Sequence, residues 1–312
     1  MAFVTAIGRR FVSIIPVLFG ISVVSFLLVH LAPGDPVRLL LGDRATDEAV
    51  QAMRERLGLN DGLLQQYLAY MGNILHGDLG YSLRFQKPVA ELILQFLPPT
   101  LFLIAYVMVI SVPLTVLLSV IAARHRNRWP DQLIRSIAVI GMAFPVFWLA
   151  LMLSRLFGVE LQWFPVSGYG EGFTGHLRHL FLPAVSTSVW LVPLLLRNLR
   201  ATLIKEMDAD YVTAGRSKGL SENGLFIHHI LMNSLLPTLN LLGVMLAFLI
   251  GSSVVVEIVY AVPGIGTLMV NSVLGRDFYV IQGLTLVYAI FTVLVTLAVD
   301  LLSSLIDPRV KL

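Results

Sequence analysis

Gly215-Arg216-Ser217-Lys218-Gly219 carries the residue types of a phosphate-cradling loop at the wrong spacing. The pattern G-x-x-x-x-G-K-[ST] rings a phosphate with backbone N–H groups and sets a lysine against it, after a strand. Neither the spacing nor a preceding strand-like run is present, so the chain is expected to bind no nucleotide itself. The metalloprotease pattern H-E-x-x-H and the nucleophile elbow G-x-S-x-G do not occur either. His228 and His229 are adjacent, so on a helix they point ~100° apart and cannot share a metal. There is no cysteine, which excludes disulfides, thiolate zinc sites and cysteine-ligated iron–sulfur clusters. No catalytic residue, metal site or bound cofactor is expected.

The elements that carry these residues are dictated by composition. Hydrophobic residues make up 57% of the 312 and charged residues 13%, against ~45–50% and ~25% in a soluble domain. So few charges cannot cover a soluble surface, and so much apolar text excludes disorder. A helix needs ~20 mainly apolar residues to cross the bilayer core. Six stretches meet or approach this: Phe11–Ala32, Leu101–Ala123, Leu133–Ser154, Leu180–Leu196, Ile230–Val256 and Phe278–Val299. Lipid offers the backbone no hydrogen-bond partner, so each must be helical. The first run exceeds a signal peptide's 7–15-residue apolar core and no A-x-A site follows, so it reads as a retained span. The fold class is therefore an all-α polytopic membrane protein.

Ionisable residues near the spans are functional candidates by default. His30 and Arg135 lie inside the first and third runs. Arg155, at the outer end of the third, can snorkel to the interface. Glu257 could pair with Arg276 or face a translocation path. Asp300 could make a structural hydrogen bond or couple an ion. An ion-coupled secondary transporter, the alternative reading, wants a charge near the midplane, and no run supplies one.

Orientation follows from Lys and Arg. With the N-terminus inside, inner segments hold thirteen of them and outer segments eight. Six of the eight lie in the long loop 33–98, where the positive-inside rule is weak. Both termini are thus expected in the cytoplasm. The outer loop opens on the turn Pro33-Gly34-Asp35-Pro36 and should carry short helices from Asp47, its candidate N-cap, to Leu57 and from Leu63 to Leu75. The inner loop 197–229 should carry a short helix capped by Asp208 and ending at Gly219, with small residues at 209, 214, 215 and 217 giving a smooth face. The outer stretch 260–280, with Pro263, Gly264 and Gly266, reads as a re-entrant or interfacial segment.

The run Ala209-Asp210-Tyr211-Val212 through Lys218-Gly219-Leu220, with His229, Asn233 and Leu236-Pro237, resembles the cytoplasmic EAA loop of ABC importer permeases. The chain is similar, more narrowly, to the first permease subunit of the dipeptide/oligopeptide/nickel and glutathione importers, which are binding-protein-dependent and of type I. The likeness runs nearly end to end. It includes Arg9-Arg10, Pro33-Gly34-Asp35-Pro36, Leu57-Gly58-Leu59, Gly77-Asp78-Leu79-Gly80-Tyr81-Ser82, and Ala123-Arg124-His125-Arg126 with Trp129-Pro130-Asp131. It continues through Pro145 with Phe147-Trp148, Leu182-Pro183-Ala184, Pro263-Gly264-Ile265-Gly266, Arg276-Asp277-Phe278 and Asp307-Pro308-Arg309.

The resemblance implies one transmembrane permease domain over residues 1–312, a multi-pass protein of the bacterial cytoplasmic (inner) membrane. It implies a second homologous permease as heterodimer partner and two cytoplasmic ABC ATPase subunits that carry the ATP and Mg. An extracytoplasmic substrate-binding protein would deliver short peptides, or otherwise glutathione, nickel or a metal chelate. Lipid surrounds such a chain and nucleic acid has no part. Coupling to the ATPases would fall to Asp208, Ala209, Asp210, Tyr211, Ala214, Gly215, Arg216 and Gly219. Glu257, Pro263, Gly264, Gly266 and Asp300 are the candidates for a pathway or gate. Two positions depart from the family pattern: Ala209 stands where Glu is frequent, and Gly215 stands where Ala is.

Overall fold

The computed structural model describes residues 2–31, 46–56, 60–82 and 84–306. The motifs Pro33-Gly34-Asp35-Pro36, Leu57-Gly58-Leu59 and Asp307-Pro308-Arg309 lie outside the described residues. The chain divides into two compact units: one is built on Pro99–Thr267 and the segment from Thr292 onward, the other on Gly8–Pro98 and Leu268–Phe291.

The second unit holds most of α1 (Ala2–Leu31), α2 (Asp47–Arg56), α3 (Leu63–Leu75) and a small hairpin of β1 (Tyr81–Ser82) and β2 (Lys87–Pro88). The strands are antiparallel, with Tyr81 opposite Pro88 and Ser82 opposite Lys87. Thr46 caps α2, accepting from the Ala49 N–H at 3.3 Å. Asp47, the expected cap, lies inside the helix. Aromatic and polar side chains pin α3 to α1: Phe26 packs on Tyr67 and Tyr70, the Ser22 and Tyr67 hydroxyls meet at 2.8 Å, and His30 Nε2 lies 2.9 Å from Gln66 Oε1. The hairpin is tied to Asp277, whose carboxylate accepts from the Ser82 hydroxyl at 2.5 Å.

The first unit is a helical bundle. Its elements are α4 (Val89–Arg124) from residue 99 on, α5 (Trp129–Ala143), α6 (Val146–Leu153), α7 (Gly172–Met207), α8 (Asp210–Ser217), α9 (Glu222–Leu225) and α10 (Met232–Val259), with the start of α11 (Ile265–Leu274) and the end of α12 (Phe278–Ile306). Wide π-type turns extend α6 over Ser154–Glu160 and join α9 to α10 over Phe226–Leu231. Among the described residues, Val89–Arg124, Gly172–Met207, Glu222–Val259 and Phe278–Ser304 are long and apolar enough to cross a membrane. Trp129–Ala143 with Val146–Glu160 makes a fifth if the bent pair is one span.

α7 is the centre of this unit. Its apolar window is 61% buried, against 22–33% for the other three long helices. Leu180, Leu191 and Leu195 of α7 pack with Leu103 and Val107 of α4 and with Leu249 and Val256 of α10. Polar side chains cross-link the same helices: Ser111 donates to Ser188 at 2.9 Å and Thr238 to Asn198 at 3.0 Å. Small residues allow close approach, as expected where apolar burial gives helices little reason to associate in lipid. A Cβ at Gly243 would meet Val299 Cγ2 at 2.7 Å.

Two expected spans differ in form. The run Leu133–Ser154 is not one rod, because its two helices are bent by 98° at Phe144-Pro145. Phe144 is extended (ψ 131°), as the residue before proline prefers, and Pro145 starts the new helix as its N-cap. The run Leu180–Leu196 is the apolar middle of the 36-residue α7. The helix continues at both ends, where Arg178, Arg197, Arg200 and Lys205 no longer read as apolar.

Candidate functional site

α8 has eight residues, too few to be stable alone, so its neighbours must hold it. Val212 and Gly215, one turn apart, form its buried face. Val212 enters an apolar cluster with Ala123, Leu199, Leu203, Leu225, Phe226 and Ile230. Gly215 lies against Leu225, where a Cβ would come 2.8 Å from Leu225 Cδ1. An alanine at 215 would require the Leu225 methyl to shift, and glycine seats the short helix without that shift.

Both ends of α8 are built. Ala209 is the extended N-cap residue (ψ 148°) and lends no side chain to the cap. Asp208, expected to cap, instead accepts from Arg126 Nη1 at 2.8 Å and ties the start of the loop to the end of α4. At the C-terminus Gly219 takes φ +80°, which a residue bearing Cβ adopts only under strain. Leu220 N–H then donates to Gly215 O at 3.2 Å and Gly219 N–H to Arg216 O at 2.9 Å, a Schellman closure.

The outward face presents Asp210, Tyr211, Thr213, Ala214, Arg216 and Ser217. Tyr211 donates its hydroxyl to Glu206 Oε2 at 2.7 Å. Burial, and then this bond to a carboxylate, raise the Tyr211 phenol above its usual range, so it remains a neutral donor at pH 7. Arg216 donates to both oxygens of Glu222, at 2.7 and 3.1 Å. These bonds hold the Glu222 carboxyl below its usual range. Arg216 is 53% and Glu222 70% exposed, so the pair adds little stability.

Sequence reasoning missed the platform beneath. Asp131, fully buried at the start of α5, accepts from Arg200 Nε at 2.6 Å and Nη2 at 2.5 Å and from the Asn127 N–H at 2.9 Å. Arg124 stacks its guanidinium 4.2 Å from the Phe226 ring centroid. Trp129-Pro130-Asp131 entered the sequence reading only as part of the family likeness, and the partner of Asp131 lies 69 residues on and carries no local mark.

The second group of candidates forms a clasp. Glu257 is fully buried near the end of α10. Its Oε1 accepts from Thr100 Oγ1 at 2.7 Å and Ser253 Oγ at 3.1 Å, and its Oε2 accepts from the Thr267 N–H at 2.9 Å. Thr100 in turn accepts from the Ile265 N–H at 3.0 Å. The carboxylate directly, and Thr100 beside it, thus satisfy orphan donors in the first turn of α11, a cap supplied by other helices. At Gly264 the carboxylate fills the space a Cβ would need, and at Gly266 Val254 and the carboxylate share it. The stretch expected to be re-entrant or interfacial is this turn followed by helix α11. Asp300 lies elsewhere, half-buried on α12, and Arg155 pairs with Glu160 at 2.9 Å.

Comparison with known proteins completes the identification. Residues 115–312 match the family described as "Binding-protein-dependent transport system inner membrane component", and residues 3–104 match the N-terminal model of such membrane components. The glutathione transport system permease protein GsiC of Escherichia coli (strain K12) is 38% identical over 303 residues, 97% of each chain. The same-named protein of Shigella dysenteriae serotype 1 (strain Sd197) matches equally. A putative peptide transport system permease protein of Brucella abortus (strain 2308) is 37% identical over 306 residues, 97% of this chain and 98% of its own. An end-to-end match of this kind, on a polytopic helical chain, places the protein in the family of multi-pass membrane permeases of peptide-type, binding-protein-dependent ABC importers.

Proposed function

We propose that the chain is the first of two homologous permease subunits that together line an import path. It crosses the bacterial inner membrane six times with both termini in the cytoplasm. α1, the four long helices and the bent α5–α6 pair supply six apolar passes. Two cytoplasmic ATPase subunits, carrying ATP and Mg, receive α8 in a cleft. Their closure on ATP pushes α8 and, through its seat, the bundle around α7. An external binding protein delivers substrate from outside, to the loop 33–98 and the stretch 260–280 that the charge pattern assigns to that side. The Glu257 clasp, with Pro263, Gly264 and Gly266, frames the outer gate, and Asp300 lies along the path. Short peptides are the substrate class, with glutathione, itself a tripeptide, inside it. The names of the relatives support that class.

The observation that carries this reading is the construction of α8: a short helix bolted down on one face, with small and polar residues free on the other. The test is co-purification of the tagged chain from gently solubilised membranes. A second permease and P-loop ATPases with vanadate-sensitive hydrolysis are expected. Ala214→Trp should leave membrane levels of the chain unchanged while ATPase recovery and uptake both fall to background. Normal uptake by that variant would defeat the coupling assignment, and a chain recovered without ATPases would defeat the importer assembly.

A further inference from the structure

The polar ends of α5 and α7 enclose a groove of about 630 Å³ that contains four guanidinium groups, Arg126, Arg135, Arg197 and Arg200. Its wall is apolar, with Val139 and Met142 from α5 among the lining. Two of the four arginines are already committed. Arg200 is held by the buried Asp131, and Arg126 by Asp208. Arg135 and Arg197 are exposed and form no ion pair among the described residues. Four guanidiniums thus face two carboxylates, Asp131 and Asp208, with Arg135 also in the field of Asp131, so the groove keeps an excess of positive charge beside an apolar surface.

Its position narrows the ligand. Arg197 is the first residue beyond the apolar run of α7, and Arg135 stands one turn inside that of α5. Both thus mark the polar ends of apolar helical runs, the place of a membrane interface if those runs are spans, and Val139 and Met142 continue from Arg135 along the apolar run. A soluble anion would leave the apolar wall unused. A zwitterionic headgroup would bring its own ammonium against two free guanidiniums. An anionic phospholipid satisfies both halves: guanidinium forks pair with its phosphodiester and an acyl chain follows the apolar wall. Basic pockets between spans at a membrane face have this recognition chemistry.

We infer that this groove is a binding site for an anionic phospholipid, with Arg135 and Arg197 on the phosphate and Val139 and Met142 along one acyl chain. The site bridges α5 to α7, and α7 contributes Leu199 and Leu203 to the seat of α8. An occupied groove therefore braces the helix that carries the coupling loop. Only the leaflet, the cytoplasmic one, rests on the orientation proposed above; the headgroup chemistry does not.

The test is native mass spectrometry of the detergent-purified importer complex given equimolar phosphatidylglycerol and phosphatidylcholine. Wild type should retain phosphatidylglycerol preferentially. Arg135→Gln with Arg197→Gln should cut that preference about tenfold, while Arg135→Lys with Arg197→Lys keeps most of it. Val139→Trp, which blocks the wall and leaves the charges, should also lower retention. Absence of preference in wild type, or an unchanged preference in the Gln pair, overturns the site. Displacement of the lipid by millimolar inorganic phosphate would overturn it too, by showing a plain anion site. The ATPase subunits are counted in the same spectra, so a failed assembly and a failed lipid site are read separately.

Discussion

Glu257 looks, in sequence, like an intramembrane charge awaiting a transport role, and its surroundings give it a structural one. Three donors converge on its carboxylate, and one of them is the backbone of a helix's first turn. Removing the group orphans buried donors at about 1–3 kcal/mol each where no water replaces it. The hydroxyl of Ser253 has a second acceptor in Ile250 O, at 3.1 Å, so the Thr267 N–H and Thr100 suffer most. Glu257→Ala should therefore lower the melting midpoint of the solubilised protein clearly. Glu257→Gln should fall between, because it keeps one acceptor and turns the amide NH₂ toward a donor. A Glu257→Ala protein that melts like wild type would remove the clasp from the account. None of this was legible locally: Thr100 is 157 residues away in the chain, and a lone glutamate near a span end reads equally well as a pathway group. Gly215 teaches the same lesson. Its departure from alanine acquires a reason only when Leu225 is found against it.

At the scale of elements, hydropathy locates the apolar cores of helices and is blind to their ends and bends. α3 was readable to the residue because Gly62 and Gly77 bracket it. α7 was not, since its outer turns carry Arg and Lys whose heads reach polar surroundings while the backbone stays helical. The cap of α8 was misassigned to Asp208 because two aspartates flank Ala209 and only tertiary contact, here Arg126, decides their roles. The 98° bend between α5 and α6 was signalled by Pro145 but hidden by an uninterrupted apolar run. The proline accounts for the bend, because it disfavours helical backbone at Phe144, which is extended. Pro145→Ala lifts that restriction and should let part of the population straighten. Because the chain has no cysteine, spin labels at Ile137→Cys and Met152→Cys report directly. Their separation should lengthen toward the roughly 22 Å of a continuous fifteen-residue rise. An unchanged distance would mean that packing against α7, not the proline, sets the bend.

For the molecule as a whole, the coupling role proposed for α8 requires that it face the cytoplasm, and the asymmetry of Lys and Arg over the short loops is the physical reason to expect so. On the proposed six-span arrangement, in which the bent α5–α6 pair and α7 each make one crossing, the loop before α7 lies on the other side. Glu171, the N-cap residue of α7, and Thr213, on the free face of α8, are both exposed and lie 42 positions apart along one continuous path. In the cysteine-free chain, Glu171→Cys should react with a membrane-impermeant maleimide from the outside of spheroplasts. Thr213→Cys should react only after permeabilisation. Binding of the ATPases should then shield Thr213→Cys and leave Glu171→Cys untouched, which joins the topology to the docking reading in one assay. Equal labelling of the two sites from outside would place α7 wholly on one side of the membrane and undo the six-span arrangement. Labelling of Thr213→Cys alone would invert the chain, and an inverted chain could not be driven from the cytoplasm through α8.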